Sequence, residues 1–320
     1  MSRGARMNAM KNVTRIACAL VCASGGQALA AKARPGLVAP GLAGEARAQL
    51  VAEVARARKT DGAAFAALAR VKGFLPSSYK VTRGRQPEVS RELVALGPRA
   101  LVPMLEVMAL TGFPTRAALS EPERAALEAG LFEAVGALGD PRADAVLEAA
   151  LAGSTDEHVL RGAARALARR CSASEPAQKQ LIQYALKAGP KQAATLDGLG
   201  LCQAVSSATT LGLVLGRTLE PSAASQAAHA LGQLGSAWAW EARGQAALGE
   251  QVRSAAAEAL INGAARAPDE SQADIQEALV VVAHPSTDAL LAHARAGGNI
   301  TEAGRRRLDA LALAWDARRR

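Results

Sequence analysis

The feature that most constrains the fold is a helix–corner–helix unit that recurs along the chain. Its clearest copy is AVGALGDPRADAVLEAAL, residues 134–151. Gly139 suits the left-handed residue that ends a helix, Asp140 suits the cap of the next helix, and Pro141 suits its first turn, where no amide donor is needed. The stretch ELVALGPRALVPML, residues 92–105, repeats the corner. The pattern predicts antiparallel helix pairs joined by tight corners.

Leucines in the predicted helices recur at a nearly constant spacing. From Leu138 onward the steps are 29, 32, 32 and 29 residues, and the final step is again 32. A step of 19 residues indicates a degenerate unit, and one of 42 indicates an insertion. The anchors are Leu96, Leu138, Leu167, Leu199, Leu231, Leu260, Leu279 and Leu311. A period near 30 in a helical chain predicts two short helices per unit, stacked side by side.

The composition favours helices over strands throughout. Half of the residues are hydrophobic, but only 3% are aromatic, and Ala, Leu and Val supply most of the apolar mass. Alanine is the best helix former, whereas aromatic and β-branched residues favour strands. We therefore expect an all-α fold, an α-solenoid of about six to eight antiparallel helix pairs.

The corner and the helix that follows it also resemble a known family. The segment ALGDPRADAVLEAAL, followed by VLRGAARALA, resembles HEAT repeats, in the short form similar to the bilin-lyase-type HEAT-like repeats. The resemblance covers residues 88–316. It implies an armadillo-like helical solenoid that binds other proteins, since most such families act in protein–protein interaction and few in catalysis.

Changes in composition divide the chain into five segments. The solenoid is preceded by an N-terminal helical cap and loop, with helical spacing in 45–58 and 61–71 and two prolines in the loop. A Pro- and Gly-rich linker precedes the cap, and a short basic stretch ends the chain. The expected segments are a signal peptide at 1–30, the linker at 31–44, the cap and loop at 45–87, the solenoid at 88–316 and a solvated tail at 317–320.

The first thirty residues have the pattern of an export signal. Lys11 and Arg15 precede a short apolar run that ends in Ala28-Leu29-Ala30, where small residues suit signal peptidase. We expect cleavage after Ala30 and a periplasmic or secreted protein without a stable membrane span. A first buried helix is the alternative, and Met10 would make a more compact start than Met1. Cys18 and Cys22 lack the triplet that precedes a lipidated cysteine, which disfavours a lipoprotein.

The charge balance disfavours a nucleic-acid-binding protein. The formal net charge is +9, but residues 1–30 hold four basic residues and no acidic one, so the remainder carries 34 basic and 29 acidic residues, or +5. No basic stripe is interleaved with aromatic residues that could stack on bases. We therefore expect a protein as partner and no nucleic acid.

Two cysteines remain after the predicted cleavage, Cys171 and Cys202. They lie 31 residues apart, close to one period, so they occupy equivalent places in adjacent units. An oxidising compartment allows them to pair. A disulfide and two buried free thiols are both compatible with the sequence.

Polar positions on the second helix of each predicted unit are the candidate partner contacts, because those helices usually line the inner curve of a solenoid. The candidates on these helices are Arg161, Arg165, Gln226, His229 and Glu258. Trp238 and Trp240 are further candidates. They lie two residues apart on a predicted helix, so both cannot face the core, although one of them could fill a gap between units.

The sequence offers little that would support catalysis. The four histidines are His158, His229, His284 and His293, and none of them has the i, i+4 spacing that places two metal ligands on one helical face. We expect no metal and no cofactor. The favoured function is a non-catalytic scaffold, a lyase-like enzyme of the HEAT-like class is the alternative, and a structural spacer in an envelope assembly is a third possibility.

Overall fold

The chain folds into helices, and the all-α prediction is confirmed. The computed structural model describes residues 42, 44–71, 88–111, 121–241, 245–298 and 300–319, and no strand occurs among them. The predicted signal peptide with its cleavage site at Ala30, nearly all of the linker and the loop at 73–87 lie outside the described residues.

Sixteen α-helices lie within the described ranges, and several are preceded by a 3-10 turn. Their bounds are α1 Gly44–Thr60, α2 Gly62–Val71, α3 Glu88–Ala95, α4 Leu101–Glu106, α5 Glu121–Leu138, α6 Asp144–Gly153, α7 Glu157–Ala168, α8 Glu175–Ala185, α9 Gln192–Leu199, α10 Val205–Arg217, α11 Pro221–Leu234, α12 Ala237–Glu241, α13 Ala246–Ala264, α14 Gln272–Val282, α15 Thr287–Ala296 and α16 Glu302–Arg319. A π-helical turn, Val107–Thr111, continues α4.

The predicted corner chemistry is confirmed at residues 139–143. Gly139 has a φ of 63°, which a side chain would disfavour. The carboxylate of Asp140 accepts a hydrogen bond from the backbone N–H of Arg142, and Pro141–Ala143 form a 3-10 turn that leads into α6. Gly97, with a φ of 74°, directly precedes the 3-10 turn Pro98–Ala100 that leads into α4, and this corner has no side-chain cap. Local sequence therefore determines both corners.

The helices pack in two rows, in which alternate helices are neighbours. Within each row a helix contacts the next member, and each second-row helix also contacts the first-row helix that follows it. The first row consists of α3, α5, α7, α9, α11, α14 and α16. The second row consists of α6, α8, α10, α13 and α15. Leu167, Leu199 and Leu231 are fully buried in the first row, and each such side chain stabilises the fold by about 2 kcal/mol.

Glycine and alanine allow the first-row helices to approach closely. A Cβ on Gly136 of α5 would lie 2.8 Å from Cα of Ala166 on α7. A Cβ on Gly198 of α9 would lie 2.9 Å from the carbonyl oxygen of Ala164, also on α7. These helices are thus in backbone contact, at distances that a larger residue would prevent.

The cap helices are attached by ion pairs as well as by apolar contacts. On α1, Arg58 donates hydrogen bonds of 2.8 and 2.6 Å to the two carboxylate oxygens of Glu106 on α4. Arg142, beside the 139–143 corner, donates to Glu53 on α1 at 2.9 Å. The corner therefore joins the cap to the body of the protein.

One expectation about the repeat, the degenerate unit at the 19-residue step, is wrong. Leu260 lies on α13 in the second row, and Leu279 lies on α14 in the first row, so the 19-residue step joins two helices of one pair. The following first-row step, from Leu231 to Leu279, is 48 residues because the short helix α12 is inserted before α13. At the end of the chain α16 extends to Arg319, and Ala317 and Arg318 are exposed on it.

No single helix in the described ranges is long and apolar enough to cross a membrane. One pair, Val89–Ala95 with Pro98–Thr111, meets the criteria of length and composition when its two parts are taken together, but they are bent by 105°. Residues 100–109 of this pair are buried within the protein.

Candidate binding groove

Three of the side chains predicted to contact a partner meet in one groove on the first row. This polar groove has a volume of about 300 Å³. Arg161 on α7 and both Gln226 and His229 on α11 line it. Further lining residues from the neighbouring first-row helices are Ala193 and Asp197 of α9, Ser225, Ala230 and Gln233 of α11, and Asp274 of α14.

Three arginines, two on α7 and one directly after it, lie beside the polar groove. Arg161, Arg165 and Arg169 are spaced by four residues, so they lie along one line of the helix surface. Arg161 pairs with Glu157 at 2.6 Å, and Arg165 pairs across the row with Asp197 at 3.5 Å. Arg169 pairs with Glu133 of α5. Exposed pairs of this kind contribute little to stability, roughly 0–1 kcal/mol, but they orient the groove's side chains.

A second depression, the edge groove, adjoins the polar groove. Its volume is about 600 Å³, and it shares Gln226 and Ala193 with the polar groove. Leu186 after α8 and Leu213 on α10 line it, and they are 49% and 38% exposed. Leu219 lies between Thr218 and Glu220, which both line the groove, and it is 88% exposed. The edge groove is therefore bordered by leucines that face solvent.

The two tryptophans separate, as their spacing requires. Trp238 is 78% exposed, whereas Trp240 is 5% exposed and packs against Gly249. The indole N–H of Trp240 donates to the carbonyl oxygen of Leu234 at 2.7 Å. The assignment of Trp240 as a partner contact is therefore wrong, because its ring fills the space between α12 and α13 and a partner cannot reach it.

Glu258 does not lie with the other predicted contacts. It is exposed on α13, a second-row helix that packs on α10, and it does not line either groove. Its sequence resembles that of α7 because both helices present an Ala/Leu face to the core. The assignment of Glu258 to the same surface as Arg161 is therefore wrong.

Cys171 and Cys202 are joined by a disulfide in the structure. Their Cα atoms are 5.4 Å apart, within the range that a disulfide requires. The bond connects the turns that follow α7 and α9, the two helices that carry Arg161 and Asp197. Both sulfur-bearing residues are buried.

The histidines have separate structural settings. His284 is buried, its Nδ1 accepts a hydrogen bond from the backbone N–H of Ser286, and its Nε2 lies 2.8 Å from Glu250. His158 and His293 are exposed, far from each other along the chain. Over the described ranges, no group of three or more His, Cys, Asp or Glu side chains is arranged to hold a metal ion.

Two groove residues could have been found from the sequence. Asp197 follows Arg165 by 32 residues, one repeat step, so the two occupy equivalent places on adjacent first-row helices. Gln233 follows Gln226 by seven residues and therefore lies on the same face of α11. Asp274 carries no such signal, because the insertion of α12 shifts the register of α14.

No protein-family model matches the chain, and no curated protein matches it at a significant level of similarity. The resemblance to HEAT-like repeats therefore stays a prediction from the corner and helix residues.

Proposed function

We propose that this chain is an exported, non-catalytic scaffold that binds a protein partner. In this proposal the helix pairs form an α-solenoid of HEAT-like units, and the first row presents the binding surface. The observation that carries the proposal is the meeting of Arg161, Gln226 and His229 in one groove, since these positions were selected from the sequence as partner contacts.

The contacts between helices support the solenoid. Within each row a helix touches the next member, and each second-row helix touches the first-row helix that follows it, which is the contact pattern of stacked units. The backbone contacts at Gly136 and Gly198 bring first-row helices close together.

The chemistry of the grooves supports a protein partner. The polar groove mixes amides, a hydroxyl, two carboxylates and one guanidinium, and the edge groove is bordered by leucines. Amide side chains can donate to and accept from peptide groups, and exposed leucines bury apolar area. This combination suits a polypeptide better than a polyanion.

The disulfide supports export. Disulfides persist in oxidising compartments such as the periplasm and are rare in the cytosol. The bonded Cys171 and Cys202 therefore agree with the signal predicted at residues 1–30.

Site-specific photo-crosslinking in cells tests the binding surface. A benzoylphenylalanine placed at Gln226 should give a discrete crosslinked protein in the envelope fraction. The same probe at Glu258, which is also exposed but lies on the second row, is the matched control and should give none. Equal crosslinking from both positions, or from Glu258 alone, would contradict the assignment of the first row as the binding surface.

Export is tested separately with a C-terminally tagged chain. We expect a periplasmic protein whose mass corresponds to cleavage after Ala30. A cytosolic protein that keeps the full precursor mass would contradict export without bearing on the groove.

A further inference from the structure

The polar groove and the edge groove form one continuous surface along the interval between α9 and α11. Gln226 and Ala193 belong to both grooves. Ser222, at the start of α11, lines the edge groove, and Gln233, near its end, lines the polar groove. The two residues are eleven positions apart, about 16 Å along the helix axis. An extended peptide covers that length with about five residues.

Small residues leave room for such a peptide. Ala193 on α9 and Ala230 on α11 line the polar groove with short side chains. Gln226, His229 and Gln233 lie along one face of α11 and are exposed, so their polar groups are available to the backbone of a bound chain.

The two ends of this surface select different side chains. At the edge groove, Leu186 and Leu213 are exposed and line a depression of about 600 Å³, where they can bury an apolar side chain. At the polar groove, Asp197 is paired with Arg165 and the lining Arg161 is paired with Glu157, whereas the carboxylate of Asp274 forms no ion pair with another described residue. The polar end is therefore complementary to a basic side chain.

We propose that this surface binds an extended segment of a protein that carries an apolar residue and, about four residues away, a lysine or arginine. The apolar side chain would be buried against Leu186 and Leu213, and the basic side chain would lie beside Asp274. Gln226 and Gln233 would bond to the peptide groups between them. This inference rests on the proposed function, because it names the chemistry of the partner that the first row binds.

Two labelled probe peptides test the proposal with the full mature chain. They are Leu-Ser-Ser-Ser-Lys and its reverse, because the groove does not specify the chain direction, each with fluorescein on a flexible linker. We expect saturable binding of at least one by fluorescence anisotropy. Replacing its Leu by Ser, or its Lys by Glu, should weaken binding about fivefold or more, from lost apolar burial or from charge repulsion.

Variants of the protein provide matched controls. Asp274→Lys should weaken binding of the Lys-containing peptide about fivefold, and this variant should bind the peptide in which Glu replaces Lys. Glu258→Lys makes the same charge change on the second row and should leave peptide binding unchanged. Leu213→Ser should weaken binding, whereas Val205→Ser should not, although both residues are 38% exposed on α10. Thermal melts of all four variants should match the parent chain, so that lost binding is not lost folding.

Two results would overturn the proposal. One is equal weakening by the groove variants and by their controls. The other is no binding of either peptide up to 1 mM while Gln226 still crosslinks to a partner, which would leave the proposed scaffold function standing and remove the peptide chemistry. If a probe at Gln226 gives no crosslinked protein in cells while the peptide binds as expected, the proposed scaffold function is contradicted and the peptide chemistry stands.

Discussion

Arg170 at the end of α7 is bonded to Asp144 at the start of α6, 26 residues earlier. Its Nε and one Nη donate to the two carboxylate oxygens at 2.9 and 3.1 Å, and its other Nη donates to the carbonyl oxygen of Gly139. The Arg170 side chain is 9% exposed. The hydrogen bond with Asp144 is the main cause that raises the pKa of Arg170 above its ordinary value. The Arg170 side chain therefore links the 139–143 corner to the end of α7 by hydrogen bonds.

Replacing Arg170 should therefore be costly. We expect Arg170→Ala to lower the free energy of unfolding by about 3 kcal/mol, because it leaves a half-buried carboxylate and a carbonyl group without their partner. Arg161→Ala, which breaks an exposed pair with Glu157, is the control and should cost less than about 1 kcal/mol. Urea unfolding followed by circular dichroism measures the free energy of unfolding of both variants. Similar losses would contradict a larger contribution of the Arg170 contacts to stability.

Close packing in the first row predicts opposite effects of the same substitution at two helical glycines. Gly198→Ala should destabilise the protein by about 1–3 kcal/mol, because the new Cβ would meet the backbone of Ala164 at 2.9 Å. Gly216→Ala on α10 should stabilise it by up to about 1 kcal/mol, because a Cβ there has no neighbour closer than 4.0 Å and alanine favours the helix. Thermal melts of the two variants should shift in opposite directions, and a stabilising Gly198→Ala would contradict the backbone contact between α7 and α9.

The disulfide predicts the thiol content of the mature protein. With Cys171 bonded to Cys202, denatured protein without reductant should contain no free thiol, and reductant should release two. The bond closes a loop across 31 residues, so the double serine variant should lose about 3 kcal/mol of stability. Equal thiol content with and without reductant would rule the bond out.

The corner also predicts a pH dependence. Hydrogen bonds from the Arg142 side chain hold the pKa of Asp140 below its usual value. Because the folded state favours the ionised carboxylate, this contribution to stability is present above the ordinary aspartate pKa of about 3.9 and is lost as the pH falls through the lowered value. Asp140→Asn keeps an N-cap side chain but removes the charge. The variant should melt below the parent at pH 7, and the difference should shrink as the pH falls below about 4. A difference independent of pH would contradict a role for the charge.

Much of the local structure could be predicted from the residues themselves. Gly139, Asp140 and Pro141 occupy the conformations that their chemistry favours, and the leucine anchors at 167, 199 and 231 are buried. The 32-residue step relates Arg165 to Asp197, which form an ion pair between adjacent helices. These features depend on short-range backbone preferences or on one regular repeat step.

Glu258 lies outside the first row although its helix resembles a first-row helix in sequence. The segment 249–260 resembles the segment 156–167 because both are amphipathic helices with an Ala/Leu face. That face is the same in either row. Helix α12 has five residues, about 7.5 Å, which is too short to fill a place in the second row, so α13 takes that place instead.

The sequence by itself determined which segments are helices, where the corners lie and which residues face the core, because capping, turn conformations and apolar periodicity act over a few residues. The tertiary structure decided which row each helix joins, and with it that Asp274 lines the polar groove, that Glu258 does not, and that Trp240 is buried while Trp238 is exposed. Which row a helix joins depends on how the preceding helices pack, and a sequence pattern of a few residues does not contain that information.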